Sequence, residues 1–420
     1  MREMTVSKTP WISEYPSAWT QVPLHALFNE HKHKNKDCSE QNLLSLSYGN
    51  IVRKDINTNE GLLPESFNGY NVIENGDIVL RLTDLQNDHR SLRTGLATER
   101  GIITSAYVTL RKKAPLSSEY YHYLFHAFDV MKVFYSMGEG IRQSIGYDEL
   151  AYIVIPQPSL PEQCAIVSYL DAKCAAVDKA IERHKKVIEK LEEYKKSVIT
   201  KTVYAGLKGT PLKGSGDWCG AIPEKWTLPR IKHLLKERDL RSESGAEEPL
   251  SMSQKVGLVP TKELGDIPHG ASSFVGAKIV YPDDLVFNKL KAHLGVFSVS
   301  KYAGLVSSDY AVYYATQKAD VKYLEYVFKT PQCIGEFIKR ATGVGQGLTR
   351  LYTGQLFDIK CPCPSIEEQH QITTYLDEVC FKVHEAKLRH QALIERLGEY
   401  RKSIIYNAAT GKIDCREVAT

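Results

Sequence analysis

Two long stretches of the chain place apolar residues at intervals of three or four positions, with charged residues between them. The first stretch runs from Pro161 to about Val203, and the second shows the same pattern from Ile372 to Ile404. This spacing puts the apolar side chains on one face of an α-helix. At about 1.5 Å per residue, we predict two helices about 60 Å long, each longer than a single domain core requires.

Residues at the start of both stretches are typical of helix boundaries. Ser159 precedes Glu162 by three positions, which is the spacing of a capping box, and Ser365 precedes Glu368 in the same way. A glycine follows each stretch and predicts its end. Because each apolar stripe requires a partner, we predict that the two helices pack together as an antiparallel coiled coil.

The sequence contains an internal tandem repeat. Residues 158–171 match residues 364–377 at a shift of 206 positions, with eight of fourteen residues identical. Trp19 and Trp226 match at the other end of the repeat, whereas the sequences between these ends diverge. Divergent middles on a shared frame are typical of two modules of one fold with different specificities, although neutral drift after a duplication also produces this pattern.

The repeat divides the chain into four segments with pseudo-twofold symmetry. They are a first domain at residues 1–157, a long helix at 158–208, a second domain at 209–363, and a second long helix with a carboxy-terminal tail at 364–420. Apolar runs predict strands near residues 76–80, 106–110, 284–287 and 309–314, and helices near 118–135 and 319–340. The predicted fold class is therefore mixed α/β (α+β), with two domains of the same fold separated by the two long helices.

Composition and charge set few limits on function. The chain has 420 residues, and 54 Lys and Arg against 50 Asp and Glu give a net charge of 54 − 50 = +4. Net charge alone therefore does not indicate nucleic-acid or membrane binding, and any basic surface must come from local clustering. No stretch approaches the roughly 18 apolar residues of a membrane span, and residues 1–10 lack the apolar core of a secretory signal. We expect a cytoplasmic protein without membrane contact.

The chain carries no sequence motif for catalysis or metal binding. It lacks a GxxxxGK[ST] phosphate loop, HExxH, GxSxG, and the Asn/Asp-Pro-Pro-Tyr tetrapeptide of amino-methyltransferases. The nine cysteines include no CxxC pair, which favours reduced thiols. The run of His and Lys at residues 31–36 is interpreted as a solvated loop, with metal or phosphate binding as the alternative. We predict no catalytic residue, metal or cofactor in this chain.

Basic and polar residues cluster after a strand segment that matches between the two domains. This segment is at residues 76–80 in the first domain and 284–287 in the second. In the first domain the clustered residues are Arg81, Asn87, Arg90 and Arg93. In the second domain they are Asn288, Lys289, Lys291 and His293, and Arg340 and Arg350 flank a glycine-rich turn at 343–347. Arg and Lys contact guanine and phosphate, and Asn contacts adenine, so these residues suit the recognition of a DNA groove. A solvated polar face would have the same composition.

Two sets of residues resemble the specificity subunits of type I restriction-modification systems. Residues 215–226, Ser-Gly-Asp-Trp-Cys-Gly-Ala-Ile-Pro-Glu-Lys-Trp, are similar to that family's entry into a target-recognition domain. Residues 155–171, which include Glu162 and Gln163, are similar to the start of its long helix. The resemblance covers essentially the whole chain.

The resemblance implies a non-catalytic subunit that binds double-stranded DNA. Each domain would read one half of a bipartite, asymmetric site, and the helices would set the unspecified spacer. It also implies two methyltransferase subunits, which use S-adenosylmethionine to methylate adenine N6, and two restriction subunits that translocate DNA with ATP and Mg²⁺. Docking of the methyltransferase subunits is expected at Glu162, Gln163, Glu368 and Gln369, although these residues also fit a simple capping role.

Three other functions stay open on the sequence alone. A specificity subunit of a type IIB-like two-subunit system would share the same frame. A coiled-coil scaffold joining two protein-binding domains would not touch DNA, and a steep salt dependence of duplex binding would separate it from a DNA reader. A self-contained nuclease or methyltransferase is disfavoured by the missing motifs.

Overall fold

The chain divides into two compact units. The computed structural model describes residues 2–57, 64, 66–85, 92–137, 144–254, 256–264, 274–343 and 349–416. The first unit comprises Met1–His184 and Gln391–Thr420, and the second comprises Lys185–His390. Each unit therefore contains one mixed domain together with a segment of each long helix.

The secondary-structure elements follow a similar order in both domains, with differences in the short strands and in the helices after the sheet. The α-helices of the described residues are α1 Leu24–Leu27, α2 Ser118–Val130, α3 Tyr147–Leu150, α4 Leu160–Ala205, α5 Val321–Phe328, α6 Pro331–Arg340, α7 Thr353–Phe357 and α8 Ile366–Ala409. Strands before α4 are β1 Met4–Val6, β2 Glu14–Pro16, β3 Thr20–Pro23, β4 Phe28–Glu30, β5 Leu44–Ser47, β6 Asn50–Arg53, β7 Asn71–Ile73, β8 Ile78–Leu80, β9 Thr94–Leu96, β10 Gly101–Ile103, β11 Val108–Lys112 and β12 Val154–Gln157. Strands after α4 are β13 Leu212–Gly214, β14 Ala221–Pro223, β15 Leu235–Arg238, β16 Leu250–Ser253, β17 Gly257–Pro260, β18 Lys278–Val280, β19 Leu285–Asn288, β20 Phe297–Val299, β21 Gly304–Val306, β22 Tyr310–Ala315, β23 Thr342–Gly343 and β24 Thr349–Arg350.

The two long helices α4 and α8 confirm the prediction from the apolar spacing. They span 46 and 44 residues. Gly206 follows α4 with φ 71°, and Gly411 lies just beyond α8 with φ 78°. This left-handed backbone conformation favours glycine and ends a helix, because it turns the chain away from the helical path.

Each domain is built around a four-stranded antiparallel sheet. The strand order is β4-β11-β8-β9 in the first unit and β15-β22-β19-β20 in the second. In the first sheet Val108 lies opposite Leu80, and in the second Ala311 lies opposite Phe287. The two central strands of each sheet overlap the predicted strand segments. The register places the residues that follow β8 and β19 at the same end of equivalent sheets.

The core of the first unit lies between its sheet, α2 and the two long helices. The ring of Phe28 on β4 contacts the rings of Tyr121 and Phe125 on α2, with centroids 5.1 and 6.0 Å apart. Ile166 of α4 and Ile404 of α8 are buried in the same cluster. Burying one large apolar side chain contributes about 1.5–3 kcal/mol, so this cluster fixes the helix segments against the domain.

The core of the second unit contains a group of packed aromatic rings. Phe287 stacks on Phe297 with a centroid distance of 4.8 Å, and Phe337 of α6 meets the Phe287 ring edge-on at 5.6 Å. Val203 of α4 and Leu376 of α8 are buried in the same cluster. Each domain therefore packs against the start of one long helix and the end of the other.

Two helices differ from their predicted extents. The predicted helix at 319–340 is broken into α5 and α6, because the Thr330 hydroxyl caps a new helix by accepting from Cys333 N, and Pro331 follows at its first position. The helix predicted to reach residue 135 ends at Val130. Lys132 then has φ 63°, and a short 3-10 helix follows over Val133–Ser136.

Some sequence predictions concern residues that the structure does not describe. Asn87 and Arg90 are among them, as is most of the glycine-rich turn at 343–347. Within the described ranges, no helix is long and apolar enough to cross a membrane. The same ranges contain no group of three or more His, Cys, Asp and Glu side chains that could hold a metal ion.

Candidate nucleic-acid interface

The two candidate DNA-binding loops follow β8 and β19. Each of these strands is anchored at its start by a buried aspartate. Asp77, before β8, accepts two hydrogen bonds from Arg111 at 2.8 and 2.6 Å. Asp284, before β19, accepts two from Arg238 at 2.9 and 3.1 Å. Paired contacts of this kind are strong and geometrically specific, so they hold the strand and the loop that follows it in a fixed position.

The two anchors use arginines from different strands. Arg111 lies on β11, directly beside β8, whereas Arg238 lies on β15, one strand further away. Tyr314 occupies the β22 position that corresponds to Arg111, and the Arg238 guanidinium stacks over its ring at 4.8 Å. The frame is therefore similar in both domains, although the residues that complete it differ.

The first candidate loop follows β8 and begins with Arg81. The Arg81 side chain is half-buried, and the Arg81 N–H donates to the carbonyl of Arg93 at 2.8 Å. Arg93 itself is completely buried, with 0% of its surface exposed. A guanidinium enclosed in this way cannot reach a DNA phosphate or base, which corrects the prediction that Arg93 contacts DNA directly.

The second candidate loop follows β19 and is short and compact. The buried Asn288 side chain accepts hydrogen bonds from the backbone N–H groups of Leu290 and Lys291, both at 3.1 Å. A 3-10 helix over Ala292–Leu294 follows, and His293 on it is half-buried. Asn288 therefore shapes the loop rather than reading a base, whereas the Lys291 side chain is exposed.

Three cations lie close together beside the second loop. Burial lowers the pKa of Lys289, and the positive charges of Lys278 and Arg350 lower it further. The Leu351 N–H donates to the Lys289 carbonyl at 3.0 Å, which brings β24 and Arg350 alongside. We call Lys278, Lys289 and Arg350 the cation cluster. Lys278 is itself buried, so a bound phosphate would meet Lys289 and Arg350 and would relieve the repulsion between their charges.

Three carboxylates pair with two members of the cation cluster, Lys278 and Arg350. Lys278 lies 3.3 Å from Glu237 and 3.3 Å from Asp239, and Arg350 lies 3.4 Å from Asp309. Arg340, which the sequence placed in the same group, instead pairs with Glu336 on its own helix at 3.4 Å.

The four predicted docking residues hold the long helices to their domains. In the first unit the Trp19 Nε1–H donates to Glu162 at 2.8 Å, and Arg2 forms an ion pair with the same carboxylate. Gln163 is 3% exposed, and its Oε1 accepts from the Ser117 N–H at 2.8 Å. These contacts are internal, so Glu162 and Gln163 contribute little surface for a partner.

The second unit repeats this arrangement with small differences. The Trp226 Nε1–H donates to Glu368 at 3.1 Å, and Gln369, which is fully buried, accepts from the Asp320 N–H at 2.8 Å. Gln369 also donates to the Pro364 carbonyl at 3.0 Å. These contacts fix the start of each long helix to its own domain. Docking of a partner at these four residues stays a prediction.

Comparison with known sequences shows similarity to a type I specificity subunit. A chain of 24% identity over 338 residues, covering 75% of both sequences, is the specificity subunit of the type I restriction enzyme MjaVIII of Methanocaldococcus jannaschii. This chain is therefore similar in sequence to a type I specificity subunit. No protein-family model matches it.

Two solved structures share their fold with this chain. One comes from a study of complex assembly and conformational transition of the type I R-M system, with a TM-score of 0.71, 14% identity, and coverage of 95% of this chain and 99% of that chain. The other is the HsdS subunit from Thermoanaerobacter tengcongensis, with a TM-score of 0.56, 16% identity, and coverage of 95% and 98%. The mixed α/β fold with long helices is therefore the fold of these subunits.

The sequence analysis did not identify Lys278, a member of the cation cluster. Lys278 lies at the start of β18 and is separated from Lys289 by ten residues of strand and turn, so no local pattern connects the two. The buried carboxylates Asp77 and Asp284 occupy matching positions in the repeat. Their partners Arg111 and Arg238 do not match in the sequence, because they come from different strands of the sheet.

Proposed function

We propose that this chain is the DNA specificity subunit of a type I restriction-modification complex. The observation that carries the proposal is the same sheet order in both units, with a differently built polar loop after the equivalent strand in each. Similarity to specificity subunits in sequence and in fold supports it. In this role the chain is non-catalytic and directs the chemistry of its partners to a sequence.

Each domain would read one half of a bipartite, asymmetric site in double-stranded DNA. The residues proposed to contact DNA are Arg81 in the first unit and Lys289, Lys291, His293 and Arg350 in the second. Arg and Lys suit guanine edges and phosphates, which supports a groove contact at each loop. Two methyltransferase subunits with S-adenosylmethionine, and two restriction subunits with ATP and Mg²⁺, would complete the complex.

The long helices are proposed to set the unspecified spacer as an antiparallel coiled coil. Asp178 pairs with Arg401 at 3.3 Å in the first unit, and Glu192 pairs with Lys387 in the second. The residue numbers rise along α4 as they fall along α8, which supports antiparallel packing. At about 1.5 Å per residue the helices are roughly 65–70 Å long, commensurate with half-sites one to two duplex turns of about 34–36 Å apart.

The proposed function is tested by co-expressing the chain with the methyltransferase subunit of its own system in a host without N6-methyladenine. The expected result is a methylated motif with two short defined halves around a fixed gap. A stable complex that produces no methylated motif and binds duplex DNA without a steep salt dependence would contradict the proposal and favour the scaffold.

Substitution of Lys289 or Arg350 by alanine is expected to weaken duplex binding about equally for all sequences. Each phosphate contact contributes about 0.9 to the slope of log affinity against log salt, so each single variant should reduce that slope by about 1 and the double variant by about 2. Titration of the assembled complex with labelled duplex at several salt concentrations measures the slope. Lys382→Ala, which removes an exposed charge on α8 paired with Glu378, is the matched control and should leave the slope unchanged.

Lengthening both long helices together is expected to widen the gap in the recognised motif. Seven residues inserted after His184 and after His390 preserve the apolar heptad and add about 10 Å, or about three base pairs. Methylation mapping measures the gap. The same insertion in the exposed connector after Lys208 should leave the gap unaltered. An unchanged gap in the helix variant would contradict the spacer role.

A further inference from the structure

A buried arginine shapes the first candidate loop from within. Arg93 lies immediately before β9, and its guanidinium donates to the carbonyl of Thr83 at 2.7 Å and to that of Arg81 at 3.2 Å. It also donates to the carbonyl of Asp84 at 3.2 Å. Three carbonyl groups of one short segment therefore point at a single side chain.

Tyr135 closes the other side of this arrangement. Its hydroxyl accepts from Arg93 Nε at 2.9 Å, and its ring lies 5.2 Å from the guanidinium carbon. The backbone N–H of Arg93 is held by the Asp129 carboxylate at 2.7 Å. Both the main chain and the side chain of Arg93 are thus fixed by the segment that ends α2 and follows it.

The segment that Arg93 holds has a conformation that requires support. Asp84 has φ 57°, in the left-handed region that costs a non-glycine residue about 1 kcal/mol or more. Leu82 and Leu85 are buried on the core side of the segment. With the carbonyls turned toward Arg93 and the leucines in the core, the path of residues 81–84 is fixed on two sides.

We propose that Arg93 is a positioning residue for sequence recognition by the first unit. It holds the backbone of residues 81–84 and thereby sets where Arg81 meets the DNA, without touching DNA itself. The inference rests on the proposed function and adds to it the residue that determines the loop shape in one half.

Arginine is chemically suited to this position, and lysine is a poor substitute. Carbonyl oxygens that converge on one buried side chain require several donors in a fixed plane, and guanidinium supplies five donors and no acceptor. An ammonium group is a compact point charge and cannot span the same set of carbonyls. The second unit uses the short Asn288 side chain instead, which holds the turn after β19 through its acceptor oxygen.

The test compares Arg93→Met and Arg93→Lys in the co-expressed complex by methylation mapping. With Arg93→Met, we expect discrimination between bases in one half of the motif to fall about tenfold or more, as for a lost base contact, while the other half keeps its sequence. Arg93→Lys should show a smaller loss in the same half. Arg53→Met, which removes an exposed arginine of the same unit paired with Glu99, is the control and should leave both halves intact.

The outcomes separate positioning from simple destabilisation. Loss of stability alone would lower methylation at every site without changing base preference, and thermal unfolding of each complex measures it independently. Unchanged base preference in both Arg93 variants, or equal relaxation of both halves, would overturn the inference. If Arg93→Met gives no soluble complex, Arg93→Lys decides by the same criterion. A wild-type complex without a bipartite motif would instead be a failure of the proposed function.

Discussion

Replacing Glu162 with alanine is expected to destabilise the first unit by about 3–5 kcal/mol. The Glu162 carboxylate is buried between the Trp19 indole N–H and the Arg2 guanidinium, whose side chains it joins to the first turn of α4. Without this carboxylate, the Arg2 guanidinium and the buried Trp19 N–H both lose the acceptor that they share. The Arg2 side chain is only 12% exposed. The penalty is large because neither group can recover its full hydration in this position.

Urea denaturation followed by circular dichroism measures the loss, and hydrogen exchange near Trp19 assigns it to the first unit. The matched variant is Glu368→Ala in the second unit, where a half-buried carboxylate accepts from the Trp226 indole at 3.1 Å. That variant should lose about 1 kcal/mol. Equal losses in the two variants would show that the Arg2 ion pair contributes nothing to the stability of the first unit.

A second large effect is expected for Gly304→Ala in the second unit. Gly304 lies on β21 opposite Val280, and a Cβ atom there would lie 2.3 Å from the carbonyl oxygen of Glu248 and 2.9 Å from Leu250 Cγ. Neither backbone can yield easily, because the next residue, Leu305, donates its N–H to that same carbonyl at 2.8 Å. We expect a loss of about 3 kcal/mol from this overpacking, measured by thermal or urea unfolding.

Gly335→Ala is the control for this substitution. Gly335 lies inside α6 of the same unit, and a Cβ atom there would have nothing within 4 Å. Alanine is the better helix former, so this variant should be more stable by about 0.5–1 kcal/mol. If Gly304→Ala were as stable as the wild type, the close approach of β21 to the Glu248 backbone would not exist in solution.

The predictions of the long helices and the central strands agree with the structure. The periodic apolar spacing predicted α4 and α8 to within a few residues, because helical periodicity, capping residues and a terminal glycine all act over one or two turns. The strand segments at 284–287 and 309–314 also lie in β19 and β22. The helix predicted across Pro331 failed at the point where a proline and a capping threonine start a new helix.

The sequence did not predict which of the candidate binding residues are buried and which contacts they make within their own domain. Arg93 and Arg81 have the same character in the sequence, yet Arg93 is enclosed by carbonyls whereas Arg81 is half-buried. Glu162 and Gln163 stood out through the repeat, but their partners lie on residues far away in the chain. Lys278 gave no signal, since its relation to Lys289 arises only when two strands meet.

The sequence by itself determined the two long helices, the tandem frame and the resemblance to specificity subunits. These are properties of spacing and of matching segments, and both can be read without knowing which residues meet. The tertiary structure decided the strand order, the burial of Arg93 and Asn288, and the assembly of the cation cluster. Such features depend on pairing between distant strands, because the burial and charge environment of a polar side chain are set by whatever segment folds over it.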